Sequence, residues 1–372
     1  MSIEARKNVG KGKRAEQKAD RGKENIMYYT SLEIMAERYE HTKREFAFHA
    51  TSEEEHKLWE KKAAARLREI SGIDQCESAE LNPKKQETVQ MDGFTREYWT
   101  IQTEPGIIMP FYLLRPDKPN GAAIINPHGH DCGKDATVEN TDNPAVTAGR
   151  AVNAAPCFSH EMARAGYVVA CPDERGCGER REENQQGDTC EAWKSNSHRE
   201  LLQVAIGFGQ SVIGLAVWDL MRLVDFVAKQ PEVDADRIGC VGMSGGGQQT
   251  VWLATLDERI KAAVTSGYFY GMKESLIYLS ANCSCNYVPN MWKTMDMGDM
   301  GAMIAPRPFF VETGEKDPLN GPSGLANVYP QVEIARQAFR LYDAEDRVVH
   351  SVHSGGHEWN GTGVIEFFDK WL

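Results

Sequence analysis

The stretch Arg237–Leu256, RIGCVGMSGGGQQTVWLATL, carries a Gly-x-Ser-x-Gly pentad centred on Ser244. A serine hydroxyl is a poor nucleophile at neutral pH. It needs a base to take its proton and an acid group to orient that base. The pentad alone is a weak signal, so its meaning depends on what surrounds it. Downstream, VVHSVHSGGHEWNG offers His350, His353 and His357. The first two lie inside an apolar strand-like run. His357 follows Gly355-Gly356, in a loop free to bend back, and is the expected base. For the acid, PFFVETGEKDP supplies Asp317 in a turn closed by Pro318. Glu312 and Glu315 are rivals, but Glu312 falls within the strand and Glu315 reaches less far into the loop.

An acyl-transfer site also needs two N–H donors where negative charge develops on oxygen. Gly245, next to the serine, is the expected first donor. The loop NPHGHDCGKD supplies the second, the backbone N–H of His130 after the tight turn at Gly129. A rival reading takes His128, His130 and Asp131 as metal ligands, but it has no fourth clustered ligand. Cys283 and Cys285 form a Cys-x-Cys without the second pair a zinc site calls for. The nine cysteines, an odd number, otherwise read as scattered free thiols of a reducing compartment. The reading therefore requires no metal and no organic cofactor.

These residues need elements to hold them. Short apolar runs read as buried parallel strands: GAAIINP (121–127), YVVACP, RIGCVGM, IKAAVTSG, PFFVETG and RVVHSVHS. Helical patterns alternate with them: CFSHEMARAGY, GLAVWDLMRLVDFVAKQ stopped by Pro231, GQQTVWLATL, ANVYPQVEIARQAFRLY with a break expected at Pro330, and GVIEFFDKWL. REYWTIQTEPGIIMPFYLLRP reads as two strands about a turn at Pro105-Gly106. The alternation predicts a doubly wound, mostly parallel α/β sheet over 86–372. Before it, residues 26–85 form a helical extension. Thr30 with Glu33 and Ser52 with Glu55 have capping-box spacing. Leu32, Met35, Tyr39 and Phe46, then Trp59, Ala63, Leu67 and Ile70, recur at helical intervals and are expected to pack on the main domain. Residues 1–25 hold eight Lys or Arg against four acids. They read as a basic tail or an arm gripping a second copy of the chain.

Two long irregular segments border the expected site, Glu174–His198 and a lid-like insertion at about 267–303. The second is rich in aromatics and methionines, and Tyr268, Tyr270 and Trp292 are candidates for stacking on a sugar or lining an acyl pocket. A packed lid core is an equal alternative for them. Arg175 either faces substrate or ties loops together through Asp173 or Glu179. The 372-residue chain is 41% hydrophobic, ample for a large core, and carries a formal charge of −12. That charge argues against nucleic-acid and membrane-surface partners. Without a signal-peptide pattern or a membrane-length apolar run, the expected location is the cytoplasm.

In combination, HGHDCGK, GYVVACPDERGCGER, VDADRIGCVGMSGGG, GEKDP and GGHEW resemble the α/β-hydrolase superfamily. More narrowly they are similar to acetylxylan-esterase-like and dienelactone-hydrolase-like serine esterases. The order Ser244, Asp317, His357 is the order of that fold. The resemblance spans about residues 86–372 and implies hydrolysis of small or carbohydrate-linked acyl esters, acetyl above all. The turn here is Gly-Met-Ser-Gly-Gly, where the best-known acetylxylan and cephalosporin deacetylases have Gly-x-Ser-Gln-Gly. A peptidase of prolyl-oligopeptidase type shares the triad, but residues 1–85 offer no propeller-like repeat. A non-catalytic binding protein on the same fold is the other alternative.

Overall fold

The computed structural model describes residues 29–150, 158–279 and 282–372; the basic tail expected over 1–25 lies outside them. Nine strands form one sheet: β1 (Lys84–Gln90), β2 (Phe94–Glu104), β3 (Ile107–Pro116), β4 (Ala123–Ile125), β5 (Val168–Pro172), β6 (Ile238–Met243), β7 (Ile260–Ser266), β8 (Phe309–Gly314) and β9 (Val348–His353). Their spatial order is β1-β2-β3-β5-β4-β6-β7-β8-β9. Strands β5-β4-β6-β7-β8-β9 pair in parallel, and β1, β2 and β3 add an antiparallel margin. The apolar runs become the central strands because both their faces are covered. β1, KKQETVQ, was not expected as a strand. It is polar and lacks alternation, which suits an exposed sheet edge that must not recruit another strand. The boundary expected near 86 therefore cuts through it.

The helices are α1 (Leu32–His41), α2 (Glu53–Ser71), α3 (Lys134–Thr137), α4 (Pro144–Arg150), α5 (Phe158–Arg164), α6 (Cys190–Lys194), α7 (His198–Ala205), α8 (Val212–Val227), α9 (Gly245–Leu256), α10 (Met291–Thr294), α11 (Met297–Ile304), α12 (Leu325–Arg340) and α13 (Val364–Trp371). α12 runs through Pro330 instead of starting after it. Proline there removes one intrahelical bond, to Ala326. The turns around it bury Val328, Val332, Ala335, Ala338 and Phe339, which outweighs that loss. Among the described residues no single helix is long and apolar enough to cross a bilayer. Residues 198–208 and 212–227 are long and apolar enough only when taken together, and a 93° bend separates them.

The extension divides into two different halves. α2 is capped by Ser52, whose side chain accepts the Glu55 N–H, and it ends at Gly72 in the left-handed region. Trp59, Ala63, Leu67 and Ile70 enter the main core as expected. α1 differs: Ser31, not Thr30, stands at its N-cap and makes no capping bond. Leu32, Ile34 and Met35 are exposed, and only Ala36 is buried. The last turn of α1 and the linker after it are pinned by polar contacts instead. Tyr39 donates to Asp296, and the Phe48 N–H and Arg44 donate to Asp299. Both acids also cap α11. The segment expected as a lid is packed into the body of the protein. Met272, Met291, Met295, Met297, Met300 and Met303 are all buried in the principal core.

Candidate active site

Strand order reverses around β4, which has β5 on one side and β6 on the other. The loops after β4 and β6 therefore meet at a switch point, where open α/β sheets hold their ligands. β6 ends at Met243 and α9 begins at Gly245, so the whole change of direction falls on Ser244. Its backbone sits at φ 58°, ψ −119°, a strained setting for a residue with a side chain. The Ser244 N–H donates to the Ser266 carbonyl at 2.8 Å, which holds the turn to the end of β7. Two glycines make the turn possible. A Cβ on Gly242 would lie 2.3 Å from the Gly246 backbone, and one on Gly246 would lie 2.2 Å from the Pro127 carbonyl oxygen.

His357 reaches this serine from the loop after β9. Its Nε2 is 2.8 Å from Ser244 Oγ, and its Nδ1 is 2.7 Å from Asp317 Oδ2. The carboxylate fixes the tautomer, since an Nδ1–H donating to Asp317 leaves Nε2 free to accept the serine proton. Asp317 is buried, and its other oxygen accepts the Leu319 N–H at 2.8 Å. The imidazole lies over Gly267, where a Cβ would come within 3.1 Å of the ring. The structure thus brings together Ser244, Asp317 and His357. Glu315 stays at the surface. Glu312 is buried elsewhere: it accepts from Ser266 Oγ at 2.8 Å, Asn360 N at 3.1 Å and Gly361 N at 2.6 Å. That carboxylate holds down the far end of the histidine loop, a role the sequence did not suggest. His350 bonds Thr313 Oγ1, and burial pushes its pKa down to about 4.

Gly245 opens α9, so its N–H is one of the helix's unpaired donors. The His130 N–H has no acceptor among the described residues. Gly129 sets that loop against the elbow, its position for a Cβ being 3.1 Å from the Met243 carbonyl and 3.5 Å from Ser244 Cβ. His128 does not join His130 and Asp131. It is buried, with Nδ1 2.6 Å from the Gly129 carbonyl and Nε2 accepting from Glu174 N at 3.0 Å. His130 instead turns its ring toward Cys285, with Nε2 3.2 Å from Sγ. A hydrogen bond from Cys285 lowers the Cys283 pKa against the effect of burial, with His130 and His198 adding to it.

The model of the Abhydrolase family matches residues 15–320, most of the chain. The chain belongs to the Abhydrolase family. Among curated relatives, this family member is 28% identical over 276 residues to YtaP of Bacillus subtilis (strain 168), a candidate hydrolase; the match covers 71% of this chain and 83% of YtaP. Solved structures share its fold. A candidate acetyl xylan esterase of Bacteroides fragilis NCTC 9343 superposes with a TM-score of 0.70 at 20% identity, covering 90% of this chain and 85% of that one. A glucuronoyl esterase of Solibacter usitatus gives 0.61 at 17% identity, over 86% and 93%.

Four expected substrate contacts in this Abhydrolase chain take other places. Tyr268 and Tyr270 are 5% and 1% exposed and belong to the core. Tyr268 donates to Asn286 at 2.8 Å, and the buried Tyr270 hydroxyl has no partner among the described residues. Trp292 packs edge-on against Tyr39 and Tyr287, beside α1. Arg175 does tie loops together, but through acids other than those expected. It grips Asp219 with two bonds of 2.7 Å and Glu104 with one of 2.6 Å. Asp173 is taken by Lys134, whose Nζ is 3.1 Å away and almost wholly buried.

Proposed function

We propose that this chain is a serine hydrolase of carboxylic esters, deacylating a small or carbohydrate-linked acyl ester, acetyl foremost. The observation that carries the reading is the unbroken relay Ser244 Oγ–His357–Asp317, at 2.8 and 2.7 Å, on a strained strand-to-helix turn. The relatives' names support the ester class, since they include esterases of acetyl xylan and of glucuronoyl groups.

His357 Nε2 takes the Ser244 proton as Oγ attacks the ester carbonyl. Asp317 stabilises the imidazolium through Nδ1–H. The N–H groups of Gly245 and His130 hold the oxyanion. His357 then gives its proton to the departing alcohol, and water enters by the same route to release the acid and restore the serine. A substrate panel tests the assignment: acetylated sugars, longer acyl esters, methyl uronates and aminoacyl amides, each with wild type and Ser244→Ala. Hydrolysis of acetyl esters that disappears in the variant is expected, together with labelling of Ser244 by a fluorophosphonate. Turnover of the amides alone would reassign the site to a peptidase. Full ester turnover by Ser244→Ala would remove the serine from the mechanism.

A further inference from the structure

Outside the serine relay, four metal-ligating side chains converge beside the loop that carries the His130 N–H. They are His130, His198, Cys283 and Cys285, and their ligand atoms all lie within 4.8 Å of one another. His130 Nε2 is 3.2 Å from Cys285 Sγ, and His198 Nδ1 is 3.0 Å from Cys283 Sγ. Bonds of about 2.3 Å to sulfur and about 2.0 Å to nitrogen, set at tetrahedral angles, separate N from S by roughly 3.5 Å. Those two pairs need separate only by tenths of an ångström to surround an ion, and the remaining pairs already lie within 4.8 Å of one another. We propose that these four residues form a structural site for a tetrahedral divalent cation, zinc by preference.

Three observations support it. Two thiols and two imidazoles are a donor set for zinc and not for magnesium or calcium, which take oxygen. The two rings stand edge to face, 5.4 Å apart at 72°, as imidazoles reaching one centre from different sides do. The outer contacts also orient the ligands. His198 Nε2 faces the Arg175 carbonyl at 3.0 Å and Glu174 Oε2 at 3.6 Å, which places its proton there and leaves the Nδ1 lone pair for the ion. The other Glu174 oxygen, Oε1, is buried without a hydrogen-bond partner among the described residues, and a nearby cation would stabilise that carboxylate. A second grouping of Glu174, Cys177 and His198 has only three ligands, and it needs the histidine nitrogen already engaged by the Arg175 carbonyl.

Four protein ligands leave no open position for a reacting water, so the ion's part is to hold structure. It would join the loop after β4, the first turn of α7 and the short turn Ser284–Asn286. Through His130 it would anchor a ring that lies over Gly245.

The test uses the full chain and no substrate, so its failure is separate from any failure of the esterase reading. Protein purified without chelator should contain about one zinc per chain by elemental analysis. Chelator-stripped protein titrated with Co2+ should develop the intense visible bands and thiolate charge-transfer absorption of a tetrahedral site, saturating at one ion. Cys283→Ser/Cys285→Ser should lose both signals. Cys240→Ser, a buried thiol outside the cluster, should keep them. The proposal is overturned by a wild-type protein that shows no such cobalt spectrum, by a double variant that binds as wild type does, or by a Cys283–Cys285 disulfide in freshly purified protein. The wild-type spectrum decides the matter even if the double variant does not fold.

Discussion

Three glycines follow Ser244, and each is there for a different neighbour. The His130 ring lies 3.1 Å from where a Gly245 Cβ would stand, the Pro127 carbonyl 2.2 Å from that of Gly246, and Tyr268 Cβ 3.1 Å from that of Gly247. The Gly246 contact is backbone against backbone and cannot be relieved by rotating a side chain. Gly246→Ala must push the Pro127–His130 loop away from the serine, and with it the His130 N–H, one of the two proposed oxyanion donors. A misplacement of that order costs about 100-fold in rate, so kcat in an ester assay should fall about that much while Ser244 stays in place. Asp317→Asn should act differently. The amide cannot hold the Nδ1–H tautomer, and a kcat loss of up to about 10⁴-fold with KM little changed is expected from steady-state kinetics. An Asn variant with wild-type kcat would remove Asp317 from the relay. The positions of Ser244, Asp317 and His357 were legible because each lies in the turn or loop that follows a strand with a recognisable apolar run. Glu312 was not, because its partners Asn360 and Gly361 are loop backbone amides. Nor was the cluster at Cys283. Spacing rules look for ligands a few residues apart, and here the histidines are 85 and 155 residues from the sulfurs they face.

The elements next to the site are locked by buried charge as well as by apolar packing. Lys134, at the start of α3, has Nζ 3.1 Å from Asp173 Oδ2 and 2.9 Å from Glu179 Oε1, and its own side chain is 1% exposed. Lys134→Ala would leave Asp173 buried and uncompensated, a change that costs about 3–5 kcal/mol. Urea unfolding should report a loss of that size, and Lys134→Ala with unchanged stability would show the pair to be dispensable. Asp219 on α8 makes a second lock. Burial alone would raise its pKa, but Arg180 and Arg175 hold it down at about 2. A carboxyl lowered from 3.8 in this way adds stability that is fully present above pH 3.8 and is lost as the pH falls toward 2. Asp219→Asn should flatten roughly 2 kcal/mol of that acid-side slope. An unchanged slope in the variant would place the acid sensitivity elsewhere. DERGCGER announced a charged loop, yet the sequence misassigned its pairs. Arg175 reaches to Glu104 and Asp219, which lie far from it in the chain and come near only once the sheet and α8 are assembled.

Across the whole molecule the extension before the sheet is part of the fold rather than an accessory. Leu67 and Ala63 are fully buried, and Trp59 and Ile70 nearly so, within the same cluster as residues from β3, β6, β8, α9 and α11. The Ser71 carbonyl accepts from both the N–H and the hydroxyl of Ser211, the N-cap of α8. Helical spacing made these contacts legible in the sequence for α2. The same spacing held for Tyr39 and Phe46, which pack against Trp292 and the core, but misled for Leu32 and Met35, because apolar residues at helical intervals do not reveal whether a partner surface exists. Burying three large side chains such as Trp59, Leu67 and Ile70 is worth about 1.5–3 kcal/mol each. Their sum approaches the net stability of an ordinary domain, about 5–15 kcal/mol. Deleting the chain through Gly72 should therefore abolish the cooperative thermal transition rather than lower it. Leu67→Ala, which leaves only a cavity, should cost about 2–5 kcal/mol and keep a single transition at lower Tm. Calorimetry separates the two outcomes. A truncated chain that still melts cooperatively near the wild-type temperature would make α2 a docked appendage. In that case the main core would close without it, and the Ser71–Ser211 contacts would be the seam between two independently folding parts.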